Sequence, residues 1–443
     1  MAAPRTAPRT APRTAARLLR GRAHLLPAVA VVLLLSVPGR WTAAGGRIAA
    51  ADLASLCLAA LCAVLVVRRP VPRPSRRAAV VLAAPAATLA AATMASGDPL
   101  AALPGFLRFL QLFVLVPLAV LLVLRDRRDA RLLAAAMVAL ALFQGAVGAA
   151  QHLTGTGASY MGENVRAVGT FGPLHVMGMA TVVSYGLIAA LCLGLAPPRA
   201  ASRLRRPAAL GCAALLALPL AFSFSRGAWL ATAAAVAVVL VAVAFRLTRR
   251  ALAVLLLGGT LLAGGTLLAG GGAVGERLGS IGEVTGTPDQ SVTDRYAMWD
   301  AALSMWRDHP WTGTGPRGFA GHRDTHASLA LSGGSDTAGA GEEFRRQELQ
   351  SPHNMYLLVL GEQGLAGATA LVGGWAVLLG CCLVRLRRAG APDVGLAATG
   401  LLVWQAVNFL YADVGGPHSV LTAVAFGLAA WWAFSPTARR EPR

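Results

Sequence analysis

Long apolar segments recur along almost the whole chain, and this recurrence limits the possible folds more than any other feature. Most of them can cross about 30 Å of hydrocarbon as a helix that rises about 1.5 Å per residue. They lie at 24–38, 48–67, 78–95, 106–124, 131–152, 174–196, 208–222, 227–245, 251–272, 355–384, 394–412 and 418–435. Only 14% of the residues are charged, against about a quarter in a soluble domain. The sequence therefore predicts an all-α, polytopic membrane protein with about twelve transmembrane helices.

The arginines concentrate in alternate connections between these segments, which sets the predicted orientation. The clusters lie at 68–77, 125–131, 199–206, 246–250 and 385–388, and both tails are also basic. Cytoplasmic connections carry an excess of basic residues, so these connections and both termini are predicted to face the cytoplasm. The net charge of +20 thus indicates membrane topology, and we expect no nucleic-acid partner. We expect the protein to lie in the cytoplasmic membrane.

This orientation divides the chain into five parts. Residues 1–23 form a basic, disordered cytoplasmic tail, 24–272 the first nine transmembrane helices, and 273–354 one large extracytoplasmic loop. Three more helices follow at 355–435, and residues 436–443 form a second cytoplasmic tail. No phosphate-binding loop or dinucleotide fingerprint is present, so we expect no nucleotide-driven transport and no cofactor.

Two arginines interrupt the apolar pattern on the predicted outer face. Arg226 lies in the very short connection between the seventh and eighth segments. A cation at membrane depth is costly and usually marks a function, although an interfacial anchor reaching toward lipid headgroups is the simpler alternative. Arg166 precedes the sixth segment in a longer connection, so a solvated position is a stronger alternative for this residue.

The large loop begins with a helical pattern and continues into a glycine-rich turn. Tyr296, Trp299, Leu303 and Trp306 recur at helical spacing, which predicts an amphipathic helix whose aromatic side chains pack inward. His309-Pro310 ends that helix, because proline cannot continue it. The glycines near Arg317 can hold a phosphate through main-chain N–H groups, but glycine turns are common.

The histidines of the loop suggest one base and no metal site. His353 follows a proline and directly precedes a membrane segment, where a neutral imidazole can accept a proton at neutral pH. His322 and His326 have the spacing of two zinc ligands on one helical face, but no third ligand accompanies them. We therefore predict no metal.

Several short motifs together resemble the O-antigen ligase and polymerase superfamily of bacterial polytopic membrane glycosyltransferases. The resemblance covers roughly residues 160–380. The motifs are Arg166-Ala167-Val168-Gly169-Thr170-Phe171-Gly172, Ser225-Arg226-Gly227, Arg295 with Trp299 and Ala302, Pro310 with Gly313-Thr314-Gly315, and His353-Asn354 with Glu362 and Gly364-Leu365. Their order, spacing and placement on the outer face carry the match.

The resemblance implies a C-type glycosyltransferase-like architecture and transfer of a glycan from an undecaprenyl diphosphate-linked donor to an acceptor hydroxyl. The acceptor is a glycan, lipid or protein, the reaction is metal-independent and inverting, and it occurs on the outer side of the cytoplasmic membrane. By this resemblance the catalytic residues are His353, Arg295 and Arg226. The supporting substrate-binding residues are Arg166, Arg317, Asn354 and Glu362.

Three alternatives remain open from the sequence. A polysaccharide polymerase of the same superfamily differs only in its acceptor, which is a second lipid-linked chain. A polysaccharide exporter or flippase is also polytopic and basic, but it is expected to carry charges along a central membrane pathway. A structural role in a cell-wall assembly is also possible, but it does not explain why Arg226 and His353 are present.

Overall fold

The computed structural model describes most of the chain. The described residues are 22–39, 41–43, 46–68, 74–160, 163–172, 175–198, 202–244, 290–327, 335–339, 345–347, 350–390 and 392–439. The predicted span at 251–272, nearly all of the predicted tail 1–23 and the first part of the large loop lie outside these residues.

Fourteen α-helices make up the described part of the fold. They are α1 Leu26–Leu33, α2 Ala50–Arg68, α3 Arg76–Ala95, α4 Pro99–Leu110, α5 Val116–Val123, α6 Arg127–Thr154, α7 Val176–Leu195, α8 Arg205–Phe222, α9 Arg226–Ala244, α10 Gln290–Asp308, α11 Gly318–His326, α12 Met355–Ala389, α13 Asp393–Asn408 and α14 Ser419–Phe434. A π-helical turn, Gln111–Leu115, joins α4 to α5, and short 3₁₀ turns extend α1 to Ala23–Ser36.

These helices agree with the predicted membrane segments wherever both can be compared. Eight helical stretches within the described residues are long and apolar enough to cross a membrane, and Ala23–Ser36 and Ser419–Phe434 are shorter apolar helices. Every predicted segment other than 251–272 overlaps a helix. The polytopic, helical class is therefore confirmed, and the total of twelve spans stays a prediction.

Within the described residues, six short strands also lie in the connections between the helices. They are β1 Trp41–Ala43, β2 Gly46–Ile48, β3 Ala158–Tyr160, β4 Glu163–Arg166, β5 Ser335–Gly339 and β6 Arg345–Gln347. The last four form one antiparallel sheet in the order β4-β3-β5-β6. This sheet joins the connection between α6 and α7 to the large loop, so both connections lie at the same end of the helix bundle.

Helix α7 forms the centre of the bundle. It is the most buried of the candidate spans, and it packs against α6, α8, α9 and α13. Polar groups within this core satisfy one another: Tyr185 donates a hydrogen bond to Gln405 of α13, and Trp404 donates to Thr232 of α9 at 2.9 Å. Because lipid offers no hydrogen-bond partners, such pairs fix the packing of the helices.

Helix α12 is too long to be a simple transmembrane helix. Its 35 residues span about 52 Å at 1.5 Å per residue, whereas the hydrocarbon core is about 30 Å thick. The helix changes direction at Gly364, where φ is 62° and ψ is −165°. A Cβ atom at Gly364 would lie 2.3 Å from the carbonyl carbon of Trp311, so only glycine allows this kink. The turns before the kink thereby pack against the large loop.

Buried ion pairs hold together the end of the bundle that carries the arginine-rich connections. Arg131 of α6 contacts both carboxylate oxygens of Asp393 of α13, at 2.6 and 3.1 Å. Arg22 pairs with Asp126 and Asp129 at the start of α6. Because removing one partner leaves a buried charge uncompensated, these pairs lock α6 against α13 and the chain before α1.

Candidate functional site

The site lies at the opposite end of the bundle, where several short connections meet. The segment 166–172 folds against the end of α6. Gln151 accepts hydrogen bonds from the N–H groups of Val168 and Gly169, at 3.0 and 2.8 Å. The N–H of Ala167 donates to the carbonyl of Phe222 at 3.0 Å. Arg166, which is partly buried, is thereby held next to the connection that carries Arg226.

The connection between α8 and α9 is strained and tightly packed. Phe224 is buried and has a φ of 47°, a left-handed conformation that phenylalanine rarely adopts. His152 of α6 stacks on Phe222, with ring centroids 4.1 Å apart. Backbone strain of this kind costs on the order of 1–3 kcal/mol and tends to occur at functional sites. The turn places the first residue of α9, Arg226, at this end of the bundle.

Arg226 lies beside the connection between α13 and α14. A Cβ atom placed on the next residue, Gly227, would lie 3.1 Å from the Cβ of Tyr411, so the start of α9 and residue 411 are in close contact. Arg226 is partly exposed and has no carboxylate partner within the described residues. An anionic ligand can therefore pair with this guanidinium without displacing an internal salt bridge.

Helix α10 brings Arg295 to the segment that precedes α12. The Trp299 indole donates a hydrogen bond to the carbonyl of Pro352 at 2.9 Å. The partly buried Arg295 lies one helical turn before Trp299. Arg295 is close enough to His353 to lower the pKa of that imidazole. The structure thus brings together two of the predicted catalytic residues.

The buried face of α10 differs from the predicted aromatic stripe. The side chains in its core are Met298, Ala301, Ala302 and Met305, whereas Tyr296 is 53% exposed. A small residue is required at 302 because α12 approaches very closely: a Cβ atom at Gly361 would lie 3.2 Å from the Ala302 carbonyl oxygen. As predicted, α10 ends before His309-Pro310.

The glycine-rich turn after α10 packs against the kink of α12, and this corrects the idea that it cradles a phosphate. The N–H groups of Thr314 and Gly315 donate to the carbonyls of Gly361 and Glu362, at 3.0 and 2.9 Å. Gly313 has a φ of 66°, and a Cβ atom there would lie 2.3 Å from the Glu362 carbonyl carbon. The turn is therefore part of the scaffold.

Three of the predicted supporting residues also have structural contacts. The buried Glu362 accepts a hydrogen bond from the N–H of Phe319 at 3.2 Å, near the start of α11. Asn354 is the N-terminal cap of α12 and accepts from the N–H groups of Tyr356 and Leu357. Arg317 is exposed, has a φ of 64° and packs against Gly105 of α4. Direct substrate contact by these three residues stays a prediction.

His353 stands at the centre of this end of the bundle. It has a φ of 48°, and its side chain is 43% exposed. Its Nδ1 atom lies 4.0 Å from a carboxylate oxygen of Asp413, and Ser351 donates a hydrogen bond to the same carboxylate. Burial lowers the pKa of the imidazole below its usual range; Arg295 adds to this effect and Asp413 opposes it. The net effect favours the neutral imidazole.

Asp413 is the residue that sequence reasoning missed. In the sequence, Tyr411 and Asp413 are two polar residues at the last outer connection, without any pattern of their own. An aspartate in a connection so rich in glycine and apolar residues was the available signal, but nothing linked it to His353, which lies 60 positions earlier. The turn between α13 and α14 makes that link, because the N–H of Met355 donates to the carbonyls of Phe409 and Ala412.

Comparison with known proteins identifies a family for this part of the chain. Residues 211–372 match the sequence model of a family described as O-antigen ligase. The match includes Arg226, Arg295 and His353, and it ends before Asp413. No curated protein matches the chain. The matched region, which carries the strained turn before Arg226 and the Arg295–His353 pair, is therefore similar to the O-antigen ligase family.

Proposed function

We propose that this protein transfers a glycan from an undecaprenyl diphosphate-linked donor to an acceptor hydroxyl at the outer face of the cytoplasmic membrane. The observation that carries the proposal is the group formed by His353, Asp413 and Arg295 at the end of a membrane helix bundle. The family match supports the same general activity. A base next to fixed cations is the arrangement that this chemistry requires.

In this reaction His353 acts as the general base. It takes the proton from the acceptor hydroxyl as the acceptor oxygen forms a bond to the anomeric carbon of the sugar. The lowered pKa supports this role, because the imidazole keeps its lone pair at neutral pH. Asp413 then stabilises the imidazolium that forms. General-base catalysis typically contributes about 10²–10⁴-fold to the rate.

The arginines act on the leaving group. As the bond from the anomeric carbon to the phosphate oxygen breaks, the electron pair stays on the undecaprenyl diphosphate and negative charge builds there. Arg226 and Arg295 stabilise that charge, and Arg166 supports them from the neighbouring connection. A guanidinium binds two phosphate oxygens at once and stays charged at all relevant pH values. Attack opposite the leaving group inverts the anomeric carbon.

The test compares lipid-linked glycans and surface polysaccharide in cells with the gene deleted, with the wild-type gene and with the His353→Ala variant. Accumulation of complete lipid-linked chains in both mutant strains is the result expected of a ligase. Accumulation of single repeat units is the result expected of a polymerase and would replace the ligase assignment. If neither pool changes, the glycosyltransferase proposal fails and an exporter or a structural role becomes the better hypothesis.

A metal requirement is tested separately with purified protein. The proposal assigns neutralisation of the diphosphate to arginines, so transfer should continue at an unchanged rate in the presence of a chelator. Loss of transfer with EDTA and its recovery on adding a divalent cation would show that a metal takes part.

A further inference from the structure

A second feature that can bind a ligand lies at the arginine-rich end of the bundle, far from His353. It is a cavity of about 840 Å³, a volume typical of sites that enclose a small molecule or a lipid headgroup. Its walls come from the starts of α3 and α6, the end of α12, and the end of α14 with the residues just after it. None of the residues predicted for glycan transfer lines it.

Four arginines from three helices line this cavity. They are Arg77 of α3, Arg127 of α6, and Arg385 and Arg388 of α12. No carboxylate is found among the described residues that line it. Guanidinium groups pair strongly with phosphate oxygens, so a cavity lined by several of them suits an anion.

The protein holds two of these arginines in place. Arg127 is only 8% exposed, and its Nε donates to the carbonyl of Ala438 at 2.9 Å. The guanidinium of Arg385 lies over the ring of Trp432, 5.1 Å from the centroid. Arg77 and Arg388 are exposed at the opening. Two positioned cations with two accessible ones at the rim resemble a binding site more than a solvated surface.

Apart from Ser435, the rest of the cavity is apolar and continues onto the outer surface of α12. Cys381, Val384, Ala433 and Phe434 line it. Val384 is 50% exposed, and Val377, two turns earlier on the same face of α12, is 47% exposed. An exposed apolar face on a membrane helix contacts acyl chains. A ligand here therefore meets cations at one end and hydrocarbon at the other.

We propose that this cavity binds the phosphate headgroup of an anionic glycerophospholipid, whose acyl chains lie along the Val377–Val384 face of α12. The arginine-rich end is the end predicted to face the cytoplasm, where membranes present anionic lipid, and basic pockets between membrane helices are known to bind such headgroups. The alternative is that Arg385 and Arg388 only stabilise the carboxyl end of α12. Inorganic phosphate shares the headgroup chemistry but has no acyl chains.

The test measures lipid binding by the full-length purified protein in detergent. Phosphatidylglycerol, phosphatidylcholine and inorganic phosphate are titrated separately, with native mass spectrometry and thermal unfolding as readouts. We expect saturable binding and a raised Tm with phosphatidylglycerol alone. In Arg77→Gln/Arg388→Gln, affinity for phosphatidylglycerol should fall about 30-fold, since each arginine near an anionic lipid contributes a several-fold gain. Both side chains are exposed, so the variant should fold.

The matched control is Arg203→Gln/Arg206→Gln. It removes the same charge from exposed positions in another arginine-rich connection, away from the cavity, and its affinity for phosphatidylglycerol should equal that of the wild type. Equal losses in both double variants, or equal protection by phosphatidylcholine, would overturn a specific site. Protection by inorganic phosphate as strong as that by phosphatidylglycerol would overturn a lipid as the ligand. Glycan transfer is not needed for any of these readouts.

Discussion

The two ends of the helix bundle use their charged residues in different ways. At the arginine-rich end, Arg131 contacts both oxygens of Asp393, and Arg22 pairs with two aspartates of α6. At the other end, Arg108 has an aspartate partner, Asp52. Arg226, however, has no carboxylate partner within the described residues. Ion pairs between helices hold the first end together around its cavity, whereas the second end presents Arg226 beside the residues proposed for chemistry.

The two ends also differ in backbone strain. Within the described residues, the non-glycine positions with positive φ are Phe224, Arg317 and His353. All three lie at the end that carries Arg226 and His353. Strained conformations persist only when the surrounding structure enforces them, and they concentrate where geometry serves function. We therefore propose that the ion pairs of the arginine-rich end serve stability and that the site end serves chemistry, and the following changes test that division.

Removal of the base should have the largest effect. His353→Asn should lower the rate of glycan transfer by about 10²–10⁴-fold, because the amide cannot accept the proton. Asparagine tolerates the left-handed conformation that His353 adopts, so the fold should be kept. His353→Ala should lose the same activity and also some stability. Transfer assays with membrane-inserted protein check this; near-normal activity of His353→Asn would exclude His353 as the base.

Replacing Arg226 by lysine should have the next largest effect. The variant keeps a positive charge but loses the planar pair of donors, so transfer should fall on the order of 10²-fold. Arg203→Lys, at an exposed position of the arginine-rich end, is the control and should keep full activity. Wild-type rates in Arg226→Lys would reduce Arg226 to an anchor at the membrane surface.

Neutralising Asp413 should change the pH profile more than the maximal rate. The wild-type rate should rise with pH as the imidazolium of His353 loses its proton, with the midpoint below the usual histidine pKa. Asp413 raises that pKa against the effect of burial, so Asp413→Asn should move the rise to still lower pH. A weaker base also lowers the plateau, by at most about tenfold.

The control for this pH measurement removes an equal charge at a distance from His353. Asp308 at the end of α10 is 61% exposed, and Asp308→Asn should leave the profile unchanged. A profile in Asp413→Asn that coincides with that of the wild type would show that this carboxylate does not act on His353.

Breaking an ion pair at the arginine-rich end should leave the chemistry unchanged. Arg131→Met strands the buried Asp393 and should lower the free energy of unfolding by about 3–5 kcal/mol. Arg131→Met/Asp393→Leu should recover most of that loss, because an apolar pair fits the same space. Thermal unfolding gives the stability, and the rate of transfer per folded molecule should equal that of the wild type. A large loss of that rate would show that the two ends do not divide stability from chemistry.

Much of the helical architecture could be predicted from the sequence, because each membrane helix must satisfy its own backbone hydrogen bonds in lipid. Apolar length is therefore a local property, and the predicted segments match helices such as α6 and α7. The buried face of α10 was mispredicted because it is built of Met298, Ala301, Ala302 and Met305, and at Ala302 the close approach of Gly361 requires a small side chain. How closely α10 and α12 approach depends on both helices, so the sequence of α10 alone does not predict it.

The site was predictable only in part, for a related reason. Arg226 and His353 stand out locally, as charged or titratable residues in a short connection or beside a membrane segment. Arg295 was named only through the family resemblance. The pairing of His353 with Asp413 depends on how the end of α13 turns against the start of α12, and no spacing in the sequence encodes it. The four arginines of the cavity were predicted only as topology signals, since they come from three separate connections.

By itself, the sequence determined that this protein is a bundle of membrane helices and which residues are out of place in such a bundle. The length of an apolar segment and the basic residues beside it determine whether and in which direction that segment crosses the bilayer. Each segment can therefore be assessed by itself. Only the tertiary structure decided which polar residues meet: Asp413 beside His353 at one end, and Arg77, Arg127, Arg385 and Arg388 around one cavity at the other. These meetings depend on close packing between helices that are distant in the chain, so local sequence patterns do not reveal them.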